Sequence, residues 1–454
     1  MNKLLLILCV LYTALASAQQ STNSPYSIYG LGQEEIQGTT AMMSMGGVGT
    51  AVVNPIWINS ANPASYTDIS RPSFNFDVRD EYYSLSSGNV SQSANSFSIQ
   101  NFSFAFPIIN NYKKFKRRCG FSFGLTPYTS SGYDMFFTSE NADLGNINYH
   151  FFGDGSINRL NAGLGFDLLA NKKRTNVLSL GINGQYVFGN IARNRATEFS
   201  SASAASSLYR SSTIEISDIG YNAGIRFSHI DTIKTKTALT DSTFVKVETP
   251  IMISTGASIT PALILNTNAQ QLEYTYTDSI QNPNIIDTLI DSRANGQTNA
   301  PLSISAGLSF NINNAWTIAV DARHTMWSNL TINDQNAGLN DATRLSAGIE
   351  WVPEYDKRGR GQYARIIRYR IGGSFEQTML NLSGVQPFRY GINFGLGLPL
   401  GAASASTSMF NIGGEVAQRQ TSGSGLNETF FNLHVGFVIT PHRYDQWFAK
   451  RKYD

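Results

Sequence analysis

The sequence predicts an all-β protein: a transmembrane antiparallel β-barrel of about fourteen strands with an N-terminal hatch in its lumen. Three observations predict it. Apolar residues recur at every second position through most of the chain, which is the period of a strand and a poor fit to a helix. Charged residues are only 15% of the 454, against about a quarter in soluble domains. No segment past the N-terminus holds the roughly twenty apolar residues that a membrane helix needs. A chain that meets lipid without such helices must close its sheet, because an open edge leaves backbone groups unsatisfied there.

The first residues read as an export signal. Lys3 is a short positive region, Leu4 to Leu15 an apolar run, and Ala16-Ser17-Ala18 a small-residue cleavage site, so Gln19 is expected to begin the mature chain. Cleavage removes Cys9 and leaves Cys119, too few thiols for an internal disulfide or a cysteine zinc site. The net charge of +2 gives no footprint for nucleic acid. The expected divisions are a signal peptide at 1–18, a hatch at 19–70, a barrel at 71–440 and a periplasmic tail at 441–454.

Alternation is clearest where Leu160, Ala162, Leu164, Phe166 and Leu168 interleave with Arg159, Asn161, Gly163, Gly165 and Asp167. Tyr390, Ile392, Phe394, Leu396 and Leu398 do the same against Arg389, Gly391, Asn393, Gly395 and Gly397. Breaking the chain at Gly, Asn, Ser and charge runs gives strands near 73–84, 95–108, 119–137, 145–169, 176–198, 208–230, 250–276, 298–312, 315–328, 341–352, 364–379, 387–400, 405–420 and 427–440. An even number returns both ends to one side, as in bacterial barrels. A soluble β-sandwich would also alternate, but the Gly-, Asn- and charge-rich second face weighs against it. So do Trp316, Trp327 and Trp351, expected in an interfacial girdle.

The connections divide by charge. One set is basic: Lys113 to Arg118, Lys172 to Arg174, Lys357 to Arg360, and Lys234 with Lys236. The other, Ser86–Ala94, Thr138–Asp143, Ser200–Ser207 and Thr277–Gln297, is read as outer loops rich in Ser, Asn and Asp. Parity from an exported N-terminus makes the basic set periplasmic. It either anchors turns to lipid headgroups or docks other envelope proteins. The tail His442 to Asp454 mixes aromatics and cations, and it too could lie on the inner leaflet or dock a partner.

Residues 20–70 alternate poorly and need a place ahead of the barrel; the lumen is the obvious one. They hold Ser24-Pro25-Tyr26-Ser27-Ile28-Tyr29-Gly30-Leu31-Gly32, then Met45-Gly46-Gly47-Val48-Gly49-Thr50, then Asn62-Pro63-Ala64. This stretch resembles the N-terminal region of the FadL-type outer-membrane transporters, with a Met-Gly-Gly-Ala-Gly-like run and an Asn-Pro-Ala ahead of fourteen strands. The opening and the ending Trp447-Phe448-Ala449-Lys450-Arg451-Lys452-Tyr453-Asp454 resemble the Bacteroidetes branch. The resemblance implies a hatch in the lumen and uptake of hydrophobic or amphipathic small molecules. It also implies a kink in the third strand that opens the wall; here Pro127, flanked by Gly124 and Gly132, could supply it, since proline donates no ladder bond. An ordinary bulge is the other reading.

Catalysis finds no residues. None of the five histidines (His150, His229, His324, His434, His442) sits in a hydrolase or zinc motif, and no Gly-x-Ser-x-Gly elbow, P-loop or metal-spaced acidic cluster occurs. No cofactor is implied. Lumen parity does gather Asp321, Arg323, Glu350, Arg368, Arg370, Arg389 and Glu415 on neighbouring strands. Buried charges must pair, so these form either a network holding the hatch or a site for an anionic ligand. Two functions stay open: a channel for hydrophobic molecules, or an interaction subunit of a secretion or outer-membrane assembly complex.

Overall fold

The computed structural model describes residues 22–87, 90–109, 117–142, 144–199, 206–240, 243–354, 363–400, 408–421 and 426–440. The signal region, the turn residues 113–116 and 357–360, most of 200–207 and the tail 441–454 lie outside them.

The chain closes into a fourteen-stranded antiparallel barrel. Its segments are β1 (Ser73–Ser87), β2 (Val90–Ile109), β3 (Cys119–Asn141), β4 (Gly145–Ala170), β5 (Asn176–Phe199), β6 (Ser207–Thr240), β7 (Thr243–Thr260), β8 (Leu263–Ser279), β9 (Asn282–Ala300), β10 (Ser303–Ile312), β11 (Trp316–Thr325), β12 (Ala342–Trp351), β13 (Arg368–Gln377), β14 (Phe388–Pro399), β15 (Met409–Gln420) and β16 (Leu426–Ile439). The last strand pairs with the first, from Leu426↔Ser87 to Ile439↔Phe74. Sixteen segments make fourteen strands because two are broken. Along β6, β7 takes the lower register (Ala223↔Ile259) and β8 the upper (Ile216↔Thr267). β9 and β10 continue one another along β8 and β7 in the same way. The breaks fall at Pro261-Ala262 and Pro301-Leu302, side by side, where neither proline can donate to the ladder.

The barrel is lopsided. β3 to β5 have 23 to 26 residues and β6 has 34, while β10 to β13 have 10 each. The long strands raise one wall at the end away from the start of β1. Three expectations are corrected. Thr277–Gln297 is no loop: it runs through the end of β8 and most of β9, paired from Asn282↔Ser279 to Gln297↔Asn266. Bulges between Ile285 and Asp287 and between Thr288 and Ile290 break the alternation there, so period two could not show it. Lys234 and Lys236 are not in a turn either. They lie in β6, in a two-stranded ribbon with β7 that extends past β5 and β10, pairing Asp231↔Ile251 through Thr240↔Thr243. Finally, Trp327 is no girdle residue: past the end of β11 the chain turns inward as a 3-10 helix, and the ring is fully buried. Trp316 and Trp351 do face outward, stacked 5.6 Å apart.

Candidate functional site

Residues 22–72 pack against the inward face of the wall. Their seat is built from glycines. A Cβ on Gly372 would lie 2.2 Å from the Met45 carbonyl carbon, and one on Gly348 would lie 2.3 Å from the Met45 oxygen. Gly181 and Gly224 carry Pro63 and Asn62 in the same manner. Gly46 and Gly47 have φ of +77° and +88°, a left-handed backbone that a side chain resists. They turn the chain so that Met42, Met45, Val48, Val52 and Trp57 share one buried cluster. After the turn, the Gly49 and Thr50 amides both donate to Asp321 Oδ2 at 2.7 Å. Asn62 caps a 3-10 helix over Pro63–Asp68, accepting from Ala64 N and donating to Thr50 O and Ile225 O. The helix ends on Asp68, held by both Nη atoms of Arg226 at 2.5 Å.

The lumen charges expected from sequence do not form one network. Glu350, Arg368 and Arg370 make a buried trio, with Oε1 accepting from Arg368 at 2.5 Å and Oε2 from Arg370 at 2.7 Å. Arg389 and Glu415 pair separately at 3.0 Å, and Asn432 donates to the same carboxylate. Asp321 holds the Gly49 turn, and Arg323 lies 3.6 Å from Glu34. Parity could have found more partners: Arg79, Arg344, Glu376, Arg419 and Glu428 are also lumenal and ion-paired. No sequence signal pointed to Glu35 or Asp68, which lie in the non-alternating segment.

Around Glu35 these groups enclose a cavity of about 80 Å³, lined by Glu35, Arg79, Glu81, Glu415, Asn432 and His434 among others. That is well under the roughly 300 Å³ at which ligand pockets begin, and its walls mix these charged groups with apolar ones such as Met43, Met379, Leu380 and Phe430. Beyond it the lumen is filled again by Leu31, Ile157, Val187, Ile191, Trp327 and Leu330.

The wall itself has a seam. β2 and β3 pair only from Ile109↔Cys119 to Phe102↔Leu125. A bulge follows between Pro127 and Thr129, and above it the two strands part. Gly124 is buried where β3 still touches Ser103 of β2; Gly132 lies beyond the bulge. The N-terminal segment takes the vacated edge of β3. Gln33↔Ser130 and Glu34↔Thr129 pair as strand, Glu35 N donates to Tyr128 O, and Ser27 Oγ both accepts from Gly132 N and donates to Gly132 O. At Gly32 (φ +86°) a Cβ would meet Ser130 O at 2.3 Å, so only glycine lets the segment lie this close.

Glu35 pins the plug, accepting from both Arg79 Nη atoms (2.8 and 3.0 Å) and from Ser130 Oγ at 2.6 Å. Burial alone would raise its carboxyl; Arg79 and the Ser130 hydroxyl outweigh that and hold it below the usual carboxylate value. A depressed pKa lends stability above the unfolded pKa of about 4.3 and loses it as pH falls through the folded value. Protease protection of the segment should therefore be unchanged from about pH 7 to about pH 5 and fall only under stronger acid. Release near pH 6 would contradict this.

A family model described as BamG matches residues 1–454. The chain belongs to the BamG family. Solved structures similar to this BamG-family barrel include a FadL homologue of Pseudomonas aeruginosa, at 12% identity and TM-score 0.55 over 90% of this chain and 100% of that one. The toluene transporter TodX of P. putida aligns at 13% identity and TM-score 0.53 over 90% and 99%. The CymD monoaromatic hydrocarbon channel aligns at 11% and TM-score 0.50 over 90% and 99%. At such identities the likeness establishes the fold alone, a FadL-type β-barrel. No curated protein matches the chain.

Proposed function

We propose that the chain is a gated FadL-like channel for hydrophobic or amphipathic small molecules in the outer membrane of a Gram-negative bacterium, exported by cleavage after Ala18. In this reading residues 19–70 are the hatch. The carrying observation is the seam between β2 and β3, plugged by Ser27–Glu35 rather than by ladder pairing. The kink at Pro127 makes a lateral way out through the wall, and the plug closes it. The small cavity and the packed lumen mean that transit requires the plug to leave. Its attachments are hydrogen bonds, the Glu35–Arg79 and Glu34–Arg323 ion pairs and the buried side chain of Leu31, and they can re-form. Asp321 and Arg323 hold hatch to wall, the charged trio and the Arg389–Glu415 pair tie neighbouring wall strands together, and all of them act as structure, not as a ligand site. The two ends of the chain support its placing in the Bacteroidetes branch.

The test is a lock. Gln33→Cys with Ser130→Cys, in a Cys119→Ser background, places two thiols on directly opposed residues, within the Cα spacing a disulfide spans. Oxidation is expected to reduce uptake of a hydrophobic probe to the level of cells without the protein, and reduction to restore it. Undiminished uptake through the oxidised barrel would reject lateral gating.

A second reading has its own support: the lumen offers no ligand-sized apolar cavity around Glu35, and the chain belongs to the BamG family. It makes the barrel an interaction subunit of a secretion or outer-membrane assembly complex, held through its basic periplasmic turns and tail. Mild-detergent purification with mass spectrometry separates the two. A lone barrel carrying lipid favours the channel, and a stoichiometric complex favours the subunit.

A further inference from the structure

The tall wall carries a second surface, on its outer face. A row of aromatic rings crosses β3, β4, β6 and β8 there: Phe136 to His150 at 4.0 Å, His150 to Phe152 at 4.5 Å, Phe152 to Tyr209 at 6.5 Å and Tyr209 to Tyr274 at 4.9 Å. These positions have the parity opposite to the lumen-facing Ile191, Ile214, Ile216 and Leu265 on β5, β6 and β8, and the row runs from exposed Phe136 to Tyr274, which its neighbours bury. Phe136 at the row's end is 75% exposed. Polar tips accompany the rings: Asp134 bonds His150 Nε2 at 2.7 Å, and Asn194 accepts from the Tyr209 hydroxyl at 3.0 Å.

The row is not the girdle of the bilayer. Below it the outward positions turn polar and mostly uncharged, with Asn158 on β4, Asn190 on β5, Thr213 on β6 and Asn266 and Asn268 on β8. Only below that belt do apolar outward residues begin, at Leu160, Phe188, Ile219 and Ile264. From Leu160 to Phe152 is eight residues and from Ile219 to Tyr209 ten, which is roughly 25–35 Å of strand. An aromatic row so far above the apolar band stands outside the membrane interface, where rings would otherwise be expected.

We propose that this face binds the sugar chain of an outer-leaflet glycolipid. It rests on the outer-membrane reading but on neither transport nor partner binding. The chemistry suits sugars. Ring faces pack against the C–H face of a pyranose, while amides and hydroxyls answer its hydroxyl groups as donors and acceptors. The belt is continuous with the lipid-facing band beneath. One molecule can therefore lay its acyl chains on Leu160, Ile182 and Ile264, its inner sugars on the amides and its outer sugars on the rings. That continuity selects a membrane-anchored glycan over a soluble one.

The test uses the full-length barrel in mild detergent and two lipopolysaccharides, one with its complete core sugars and one cut back to the lipid and innermost sugar. Native mass spectrometry reads the bound fraction. The sugar-bearing form is expected to bind about tenfold more tightly, the scale of one or two aromatic contacts. Phe136→Ala with Tyr209→Ala should abolish that difference while leaving the truncated form unchanged. Asn268→Ala, at an exposed position away from the rings, should reduce it without any risk to the row's packing. Equal binding of the two glycolipids, or a preference that survives the variants, overturns the proposal. So does a released, lipid-free sugar chain that binds as tightly as the glycolipid, because it removes the membrane as the source.

Discussion

Gly372→Val is expected to unseat the N-terminal segment from an otherwise intact barrel. The glycine sits in β13 opposite Gly348 of β12, and together they leave the bare patch on which Met45 and Gly46 rest. A Cβ at 372 would fall 2.2 Å from the Met45 carbonyl carbon and 2.5 Å from the Gly46 nitrogen, backbone atoms that cannot rotate away. β13 cannot yield either, being laddered on both sides. The segment must lift, and with it go the contacts of Met42, Met45, Val48, Val52 and Trp57. Each such side chain is worth about 1.5–3 kcal/mol when fully buried, so even partial loss exceeds what the remaining hydrogen bonds restore. Limited proteolysis should cut the variant near residues 45–60, while the barrel still shifts on heating in gel electrophoresis, as folded barrels do. Gly373→Val is the control. Its Cβ meets only Gly391 O at 3.4 Å, and it should stay protected. Equal protection of both variants would mean that the glycine patch is not what seats the segment.

How far the sequence foretold this depends on which side chains alternate. Barrel strands announce themselves because lipid and lumen impose opposite chemistry on successive residues, and β4, β14 and β16 read cleanly for that reason. β9 did not, because both its faces meet water and its two bulges shift the parity. Trp327 misled for a different reason. Alternation stops at Thr325, and nothing local tells an interfacial tryptophan from one folded inward, where its Nε1 donates to Glu34 at 2.9 Å. The seam was half legible. Pro127 marked the bend, but that residues 27–35 fill it follows only from the fold, since Gly32 and Ser130 are far apart in sequence. The lumen charges could be assigned to a face by parity, yet not paired. Pairing depends on strand stagger, which decides that Arg370 meets Glu350 while Arg389 meets Glu415.

Arg226→Met is expected to destabilise the protein by about 3–5 kcal/mol, the usual cost of stripping one partner from a buried ion pair. Arg226 is 3% exposed at its side chain and Asp68 11%. Their two 2.5 Å bonds form the bidentate geometry in which a guanidinium is strongest. Methionine fills much of the arginine's volume, so packing changes little; what changes is that Asp68 is left buried without its counter-charge. The effect reaches beyond the pair. Asp68 ends the helix that Asn62 begins, and Asn62 in turn bonds Ile225 O, next to Arg226. Both ends of the Asn62–Asp68 element are thus fixed to one stretch of β6, and freeing one loosens the other. Thermal unfolding in detergent should show a lowered midpoint, and the segment should lose protease protection before the barrel melts. The decisive comparison is Arg226→Met combined with Asp68→Leu. Replacing both charges by apolar groups removes the uncompensated carboxylate and should recover most of the loss. If the double variant is no more stable than Arg226→Met alone, the pair's contribution is its hydrogen-bond geometry rather than its charge balance. The Asn62-Pro63-Ala64 motif would then need Arg226 as a clamp even with no carboxylate to neutralise.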